Sequence, residues 1–163
     1  SVDTLYGLFD RQAKDALRVD GPKSAEHEFI RDSLIPSLLQ SLSRNVHEEY
    51  PQRLFEIGKV FQGGPAIRED WAIATVVAHG DAGYTEIKSY LQALLKSGFG
   101  KSCQTASAAS PFFIPGRSAN ILIDGRIVGS IGEIVPLALE NLRMRVPVSA
   151  FEIDLGRLLV LPQ

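Results

Sequence analysis

The sequence predicts an α+β domain: a mainly antiparallel sheet of about six strands, with about three helices packed on one face. Three observations support this prediction. Apolar residues between positions 30 and 46 recur every four residues, as they do on one buried helix face. From Arg53 to Phe61 the period changes to two, which is typical of a strand. Asp124-Gly125 separates two further strand-like segments, which predicts a hairpin rather than a strand–helix–strand unit.

The first element is predicted to be a short helix within residues 1–19, with Asp3 as its N-cap. Gly21-Pro22 then breaks the chain. The apolar residues that face inward from this helix are predicted to be Leu5, Leu8 and Phe9.

The main helix is predicted to begin at Ser33, whose side chain is well placed as the N-cap. Pro36 then falls in the first turn, where a missing N–H costs little. The helix should run to about Val46 and stop before Pro51. In the strand that follows, period two places Phe55, Ile57 and Phe61 on one face and Leu54, Glu56 and Val60 on the other.

The middle of the chain adds a strand and a helix. Trp71–Ala78 is apolar on both faces, which favours a central strand. The second helix is predicted to stop at Gly98, and residues 103–109 are weakly strand-like. Its apolar face is formed by Ile87, Tyr90, Leu91, Leu94 and Leu95.

The C-terminal third contains the clearest local signal. Ala119–Ile123 and Arg126–Ile131 flank Asp124-Gly125, and a type I′ turn needs positive φ at both central positions. A third helix is predicted to start at Pro136, and the alternation in Val148–Leu155 predicts a closing sixth strand.

Composition limits the classes of function. At 163 residues the chain is predicted to be one domain, residues 1–163, and no apolar run approaches the ~18 residues that a membrane span needs. The formal charge of −2 provides no overall basic field for gripping nucleic acid directly. The single cysteine, Cys103, excludes an internal disulfide and fits a reducing cytoplasm. Because Ser1 is not an initiator Met, we expect the chain to be a piece of a longer protein.

Two segments resemble catalytic loops but lack a required glycine. Gly98-Phe-Gly-Lys-Ser102 would need glycine where Leu95 stands to be a Walker A loop, and it closes a helix instead of opening one. Gly129-Ser-Ile-Gly132 would need glycine at Val128 to be a nucleophile elbow. We therefore interpret the first as a helix end and the second as a strand with small residues.

The titratable residues leave one catalytic hypothesis open. His27, His47 and His79 lack the spacing of metal ligands, so we interpret them as separate polar residues and expect no metal site. Cys103 is interpreted as a packed thiol. The carboxylates considered for convergence as acid and base are Glu133, Glu152 and Asp154, although strand-edge carboxylates are more often solvated or paired with arginine.

The aromatic loop Phe112-Phe-Ile-Pro-Gly-Arg117 is the most unusual irregular stretch. Two adjacent phenylalanines cannot both point inward from a strand, so one of them could cover a pocket or meet a partner. Core packing is the default interpretation.

Ordered motifs along the whole chain resemble those of the beta subunit of phenylalanyl-tRNA synthetase. The resemblance covers about residues 5–158 and is closer to the archaeal and eukaryotic form, because the chain stops without a further anticodon-binding domain. The motifs are Pro22-Lys-Ser-x-Glu, Ile30-Arg-Asp-Ser-Leu-Ile-Pro-Ser-Leu-Leu39, Arg44-Asn45, Leu54-Phe-Glu-Ile-Gly-Lys-Val-Phe61, Thr85-Glu-Ile-Lys88, Pro115-Gly-Arg-Ser-Ala119, Asp124-Gly-Arg-Ile-Val-Gly129, Gly132-Glu-Ile-x-Pro136 and Pro147-x-x-Ala-Phe-Glu-Ile-Asp-Leu155.

The resemblance implies a C-terminal module related to the class II aminoacyl-tRNA synthetase core, with the active site in the alpha subunit. The module would pack on the alpha subunit in a cytoplasmic heterotetramer of two alpha and two beta chains. That enzyme uses ATP and magnesium to attach phenylalanine to tRNA(Phe). Arg31, Arg44 and Glu56 are then interpreted as polar anchors of the fold or of a subunit interface.

The class II nucleotide motifs are broken in this chain. If Gly156 is taken as the second glycine of the third motif, Asp154 stands at the first glycine and Val160 at the arginine. Around Arg53-Leu-Phe-Glu56 the F-R-x-E/D order and the following His-Gln pair are missing. Without cations to meet developing phosphate charge, adenylate formation loses its main electrostatic stabilisation. The domain is therefore predicted to be catalytically silent, with no catalytic, cofactor-binding or metal-binding residues of its own.

Two other functions stay open at this stage. One is a domain with its own small-molecule site near Arg117, Glu133 and the aromatic loop. The other is a free-standing regulatory paralogue of the synthetase subunit.

Overall fold

The computed structural model describes residues 7, 9, 17–18, 29–63 and 66–159. Most of the predicted helix within residues 1–19, including Asp3, Leu5 and Leu8, lies outside them, as does the Pro22 motif, but Phe9 is buried as predicted. The elements are β1 (Leu17–Arg18), β2 (Phe29–Ile30), α1 (Ile35–Arg44), β3 (Gln52–Gln62), β4 (Arg68–Ala78), α2 (Tyr84–Phe99), β5 (Gln104–Ser107), β6 (Phe113–Ile123), β7 (Arg126–Ile134), α3 (Pro136–Asn141), β8 (Val148–Asp154) and α4 (Leu155–Leu159).

Six strands form one antiparallel sheet in the order β3-β4-β8-β7-β6-β5, and β1 pairs with β2 separately. This confirms the predicted α+β class and the six-stranded antiparallel sheet. β3 and β5 are the edge strands, and β8 enters between β4 and β7 although it comes last in the chain. The closing strand therefore lies at the centre of the sheet.

The prediction that the helices pack on one face is wrong. Alternate residues of β4 pack in opposite directions: Ala72, Ala74 and Val76 share a core with α1 and α3, whereas Ile73 and Val77 share a core with α2 and α4. The physical reason is that β4 and β8 are apolar on both faces, so each face needs a covering layer. The sheet therefore lies between two helical layers.

α1 presents a buried face to the sheet, but its ends differ from the prediction. It ends at Arg44, two residues before Val46, where the Asn45 N–H donates to the Leu42 carbonyl. Its N-cap is Leu34, one residue after the predicted Ser33. The buried residues of α1 are Ile35, Pro36, Leu38, Leu39 and Leu42.

The predicted turn at Asp124-Gly125 is confirmed, with φ of 52° and 75° at the two residues. The hairpin strands are longer than predicted, because β6 begins at Phe113 inside the expected aromatic loop. Phe113 is fully buried, and the Phe112 ring meets Phe9 edge-on with 4.8 Å between centroids. Core packing of the aromatic loop is confirmed.

The two loop-like glycine segments have the structures predicted for them. α2 ends at Phe99, with Gly100 as its C-cap at φ of 63°, rather than at the predicted Gly98, so this segment closes a helix. Gly129 lies inside β7, where a Cβ atom would collide with the carbonyl oxygen of Glu152 on β8. Only glycine lets these two strands approach this closely. Within the described residues, no helix has the length and apolar character needed to cross a membrane.

Candidate functional site

Glu152 of β8 reaches the N-terminus of α1. Its Oε2 atom accepts hydrogen bonds from the Ser33 hydroxyl at 2.9 Å, from the Leu34 N–H at 2.8 Å and from the Ile35 N–H at 3.2 Å. Ser33 Oγ in turn accepts the Ile35 N–H at 3.2 Å. The first-turn N–H groups of a helix lack partners within the helix and favour negative charge. Glu152 and Ser33 together therefore cap α1.

Burial raises the pKa of Glu152 to about 7, from an ordinary value of 4.5. The hydrogen bonds from Leu34, Ser33 and Ile35 oppose this shift, and the charge of Asp32 adds to it. A carboxyl group with a raised pKa is a candidate general acid. Here, however, one of its oxygens already carries three hydrogen bonds from the fold.

Glu133 of β7 performs the equivalent role for α2. Its Oε1 atom accepts the N–H of Tyr84, the first residue of α2, at 3.2 Å. Its Oε2 atom is 2.8 Å from Nη1 of Arg117, and this hydrogen bond and charge raise the pKa of Arg117. The structure thus brings Arg117 and Glu133 together, but as an ion pair that also holds a helix.

The hypothesis that Glu133, Glu152 and Asp154 converge as acid and base is wrong. Glu133 lies on the face covered by α2, whereas Glu152 lies on the opposite face, at α1. Asp154 instead binds Arg157, with 3.2 Å between Oδ2 and Nε, and its Oδ1 accepts the Arg157 N–H. The alternation of side chains puts Glu133 and Glu152 on opposite faces of the sheet. Glu152 and Asp154 share one face of β8, but each is bonded to a different part of the fold.

The remaining polar candidates are also separate. His79 Nε2 lies 2.6 Å from Glu86 Oε2, His47 is exposed, and His27 is outside the described residues. Among the described residues, no group of three His, Cys, Asp or Glu side chains is placed to hold a metal ion. Cys103 is half-buried, and burial raises the pKa of its thiol.

Arg31 and Glu56 form the polar anchor predicted for them. Arg31 Nη1 is 2.6 Å from Glu56 Oε1, and Arg31 Nε donates to the Lys59 carbonyl at 3.0 Å. The guanidinium lies directly over Gly58, where a Cβ atom would collide with it. This contact fixes the segment before α1 against β3. Arg44 is exposed in the last turn of α1.

The main surface that sequence reasoning missed is an apolar area on β3 and β4, which we name the β3 patch: Phe55, Ile57 and Trp71. These side chains are 73%, 53% and 50% exposed, and all three lie on the sheet face that α2 only partly covers. Next to them is an open groove of about 320 Å³, lined mainly by Phe55, Ile57, Ile73, Val77, Tyr90 and Leu94. The alternation of side chains in β3 is the sequence feature that could have revealed this patch. It places Phe55 and Ile57 on the face of the strand opposite to that of Val60, which packs in the core beside α1.

Within the part of the chain that the structure describes, no strand pairs with the outer edge of β3 beside this patch. The Phe61 N–H donates to the Arg31 carbonyl rather than to β4, so odd-numbered residues of β3 point their backbone groups outward. Among the described residues, Arg53, Phe55 and Ile57 have no backbone partner on that side. An open edge beside exposed apolar side chains is a ready site for a partner.

Comparison with known proteins agrees with the resemblance in the sequence. A family model described as the phenylalanyl tRNA synthetase beta chain CLM domain matches residues 2–155. The chain is 39% identical over 143 residues to the phenylalanine–tRNA ligase beta subunit of Archaeoglobus fulgidus, covering 88% of this chain and 25% of that protein.

Two further archaeal beta subunits show the same extent of similarity. The Pyrococcus furiosus protein is 39% identical over 163 residues, covering 95% of this chain and 28% of the relative. The Thermococcus kodakarensis protein is 37% identical over 159 residues, covering 94% of this chain and 27% of the relative. The chain thus spans about a quarter of the length of the curated relatives it matches. Since the family model covers nearly the whole chain, the chain belongs to the family of phenylalanyl tRNA synthetase beta chain CLM domains.

Proposed function

We propose that this chain is a non-catalytic, class II synthetase-like domain that docks the alpha subunit of phenylalanyl-tRNA synthetase. The observation that carries the proposal is the β3 patch. Phe55 and Ile57 are each more than half exposed, and they lie beside a groove and a strand edge that no other described strand pairs with. Large exposed apolar side chains gathered on one face mark protein interfaces rather than ordinary surface.

The proposed docking mode combines side-chain and backbone contacts. Aromatic and aliphatic side chains of the alpha subunit would fill the groove, while an extended segment adds to the open edge from Arg53 to Ile57. Residues 29–31 already run beside the other end of this edge, through the Arg31 carbonyl and the Phe61 N–H. The edge geometry is therefore compatible with an added strand.

The absence of chemistry in this domain is supported by how its carboxylates are used. Glu152 and Glu133 each hold a helix N-terminus, on opposite faces of the sheet. Asp154 is bonded to Arg157. In the proposal, ATP and magnesium bind the alpha subunit, which attaches phenylalanine to tRNA(Phe) in a cytoplasmic heterotetramer of two alpha and two beta subunits.

The docking proposal is tested by measuring binding of the purified alpha subunit to the chain and to a Phe55→Ala/Ile57→Ala variant. Hot-spot residues at the centre of an interface cost about 2 kcal/mol or more each on truncation, so the double variant should bind about 100- to 1000-fold more weakly. The matched control is Leu137→Ala/Leu159→Ala, which removes two exposed apolar side chains outside the patch and should bind like the wild type.

Two results would overturn the proposal. One is equal binding of the alpha subunit by the Phe55 and Leu137 double variants, both shown to be folded by thermal unfolding. The other is self-association of the chain, seen by analytical ultracentrifugation, that the Phe55→Ala/Ile57→Ala variant abolishes, because the patch would then join two copies. The proposed lack of catalytic activity is tested separately. Phenylalanine-dependent ATP–pyrophosphate exchange by this chain above a no-enzyme control would contradict it.

A further inference from the structure

The exposed side chains of β3 follow a fixed order of charge and hydrophobicity. Every second residue of the strand is exposed, and these residues are Arg53, Phe55, Ile57 and Lys59. Alternate residues of a strand share one face, which here is the face of the β3 patch. Arg53 lines the groove beside the patch, and Lys59 Nζ lies 5.7 Å from the ring centroid of Trp71. The apolar patch therefore has a cation at each end.

The free backbone edge of β3 covers the same stretch. Arg31 closes this edge at one end, because its Nε donates to the Lys59 carbonyl at 3.0 Å and its own carbonyl accepts the Phe61 N–H at 2.9 Å. At the other end, Pro51 has no N–H to donate. Between these limits, the outward backbone groups of residues 53–57 have no partner among the described residues. An added strand can therefore pair with this stretch but not beyond Lys59.

Both cations remain accessible to a carboxylate of a partner. Arg53 Nε donates to the Tyr90 hydroxyl at 2.8 Å, but its Nη2 is 3.7 Å from Glu86 Oε1, too far for a hydrogen bond. Lys59 Nζ is 2.7 Å from Glu69 Oε1, although both side chains are nearly half exposed. Ion pairs as exposed as these contribute little. A partner carboxylate can therefore compete for each cation.

The other face of the same edge selects no charge. Glu56 is already paired with Arg31, with 2.6 Å between Oε1 and Nη1. Leu54 packs against the core beside α1, and Gly58 has no side chain. Side chains of an added strand on this face therefore meet neither an exposed apolar patch nor a free cation among the described residues. Only alternate residues of the partner are constrained.

The spacing of the cations fits a single strand. Arg53 and Lys59 are six positions apart, which is about 20 Å at roughly 3.3 Å per residue. Residues directly opposite each other on paired strands lie on the same face and contact each other. A partner strand therefore needs acidic side chains opposite Arg53 and Lys59, and apolar side chains opposite Phe55 and Ile57.

We propose that the β3 edge selects an extended segment with the pattern acidic-x-apolar-x-apolar-x-acidic. The apolar side chains meet Phe55 and Ile57 and fill the groove, while the acidic side chains bind Arg53 and Lys59. The pattern reads the same in both directions, so it holds for a parallel and for an antiparallel added strand. In the docking complex the segment belongs to the alpha subunit, so the identity of the partner rests on the proposed function, whereas the pattern is a property of this chain.

The test is an amide NMR titration of the isotope-labelled chain with an acetylated and amidated peptide, Glu-Thr-Ile-Thr-Ile-Thr-Glu. The amide resonances of Arg53, Phe55 and Ile57 should shift at millimolar peptide, because these N–H groups gain acceptors. A second peptide has lysine in place of both glutamates. It should bind about 5- to 30-fold more weakly, because two attractive ion pairs become repulsive.

The charge variant is Arg53→Gln/Lys59→Gln, which should bind the two peptides with affinities within about 3-fold of each other. The matched control is Arg126→Gln/Arg145→Gln, which removes two exposed arginines outside β3 and should keep the wild-type preference. If a thermal melt shows the charge variant to be unfolded, Lys59→Gln replaces it and should have a smaller preference than the wild type.

Three results would overturn the inference: no shift of the β3 amides with the glutamate peptide, equal affinity of the wild type for the two peptides, or an undiminished preference in the charge variant. Binding of the alpha subunit separates this inference from the docking proposal. If Phe55→Ala/Ile57→Ala loses the alpha subunit while the charge variant binds it like the wild type, docking stands and the pattern is wrong. Peptide selectivity without alpha-subunit binding supports the pattern and overturns docking.

Discussion

Ser33 and Glu152 are 119 residues apart in the sequence, and their side chains meet at 2.9 Å at the N-terminus of α1. The contact joins the segment just before α1 to β8, a central strand of the sheet. It also explains why a carboxylate stands on an otherwise core-facing position of β8, where Val148 and Ala150 precede it. The carboxyl group is placed where helix N–H groups without a partner in the helix need an acceptor.

Removing the Ser33 hydroxyl should weaken this junction. Ser33→Ala deletes a donor to Glu152 and an acceptor for the Ile35 N–H, so the free energy of unfolding should fall by about 1–2 kcal/mol. Ser41→Ala, an exposed serine of the same helix, should change it by less than about 0.5 kcal/mol. Urea unfolding of both variants measures the difference, and equal midpoints would contradict a capping role for Ser33.

The stability of the chain should depend on pH through Glu152. Its pKa in the folded chain is about 7, above the ordinary value of 4.5, so the folded chain holds the proton more tightly than the unfolded chain does. The stabilising contribution is then fully present below about pH 4.5 and lost as pH rises toward 7, by up to about 3 kcal/mol.

Glu152→Gln removes this titration but keeps an oxygen that can accept the helix N–H groups. The variant should therefore lose less unfolding free energy than the wild type between about pH 4.5 and 7, when both are measured by denaturant unfolding at several pH values. Glu140→Gln, an exposed carboxylate of α3, should retain the wild-type profile. Parallel profiles for the wild type and Glu152→Gln would show that the group does not titrate in this window.

Two glycine-to-alanine substitutions should act in opposite directions. Gly129→Ala places a methyl group against the Glu152 backbone in the strand pair β7–β8, and should lower the free energy of unfolding by about 1–3 kcal/mol. Gly98→Ala lies within α2, where the nearest atom to the new methyl group is Leu94 Cδ1 at 3.8 Å, so it should raise stability by about 0.5–1 kcal/mol. Thermal melts of the two variants that shift in the same direction would contradict this account.

Local features of the fold were predictable from the sequence. Asp124-Gly125 predicts its turn because positive φ at two successive positions is a property of those residues and their neighbours. The buried face of α1 follows from apolar spacing alone. The family resemblance was equally accessible, since ordered motifs need no coordinates.

The layer arrangement and the helix caps were harder to predict. The sequence showed that β4 is apolar on both faces, but the prediction still packed the helices on one face. Which helix covers which face depends on the strand order β4-β8-β7. The roles of Glu133 and Glu152 depend on contacts over 49 and 118 residues, and no local pattern specifies such pairs.

The sequence by itself determined the strand and helix periods, the hairpin turn and the family. Each of these depends only on the spacing of nearby residues or on the order of motifs along the chain. The tertiary structure decided what the polar and apolar residues are for. By inserting β8 between β4 and β7, it directed Glu152 and Glu133 to opposite faces as helix caps. By leaving β3 at an edge, it exposed Phe55 and Ile57 as a surface for a partner. The reason is that a strand fixes only the alternation of its side chains, while its neighbours fix what each side meets.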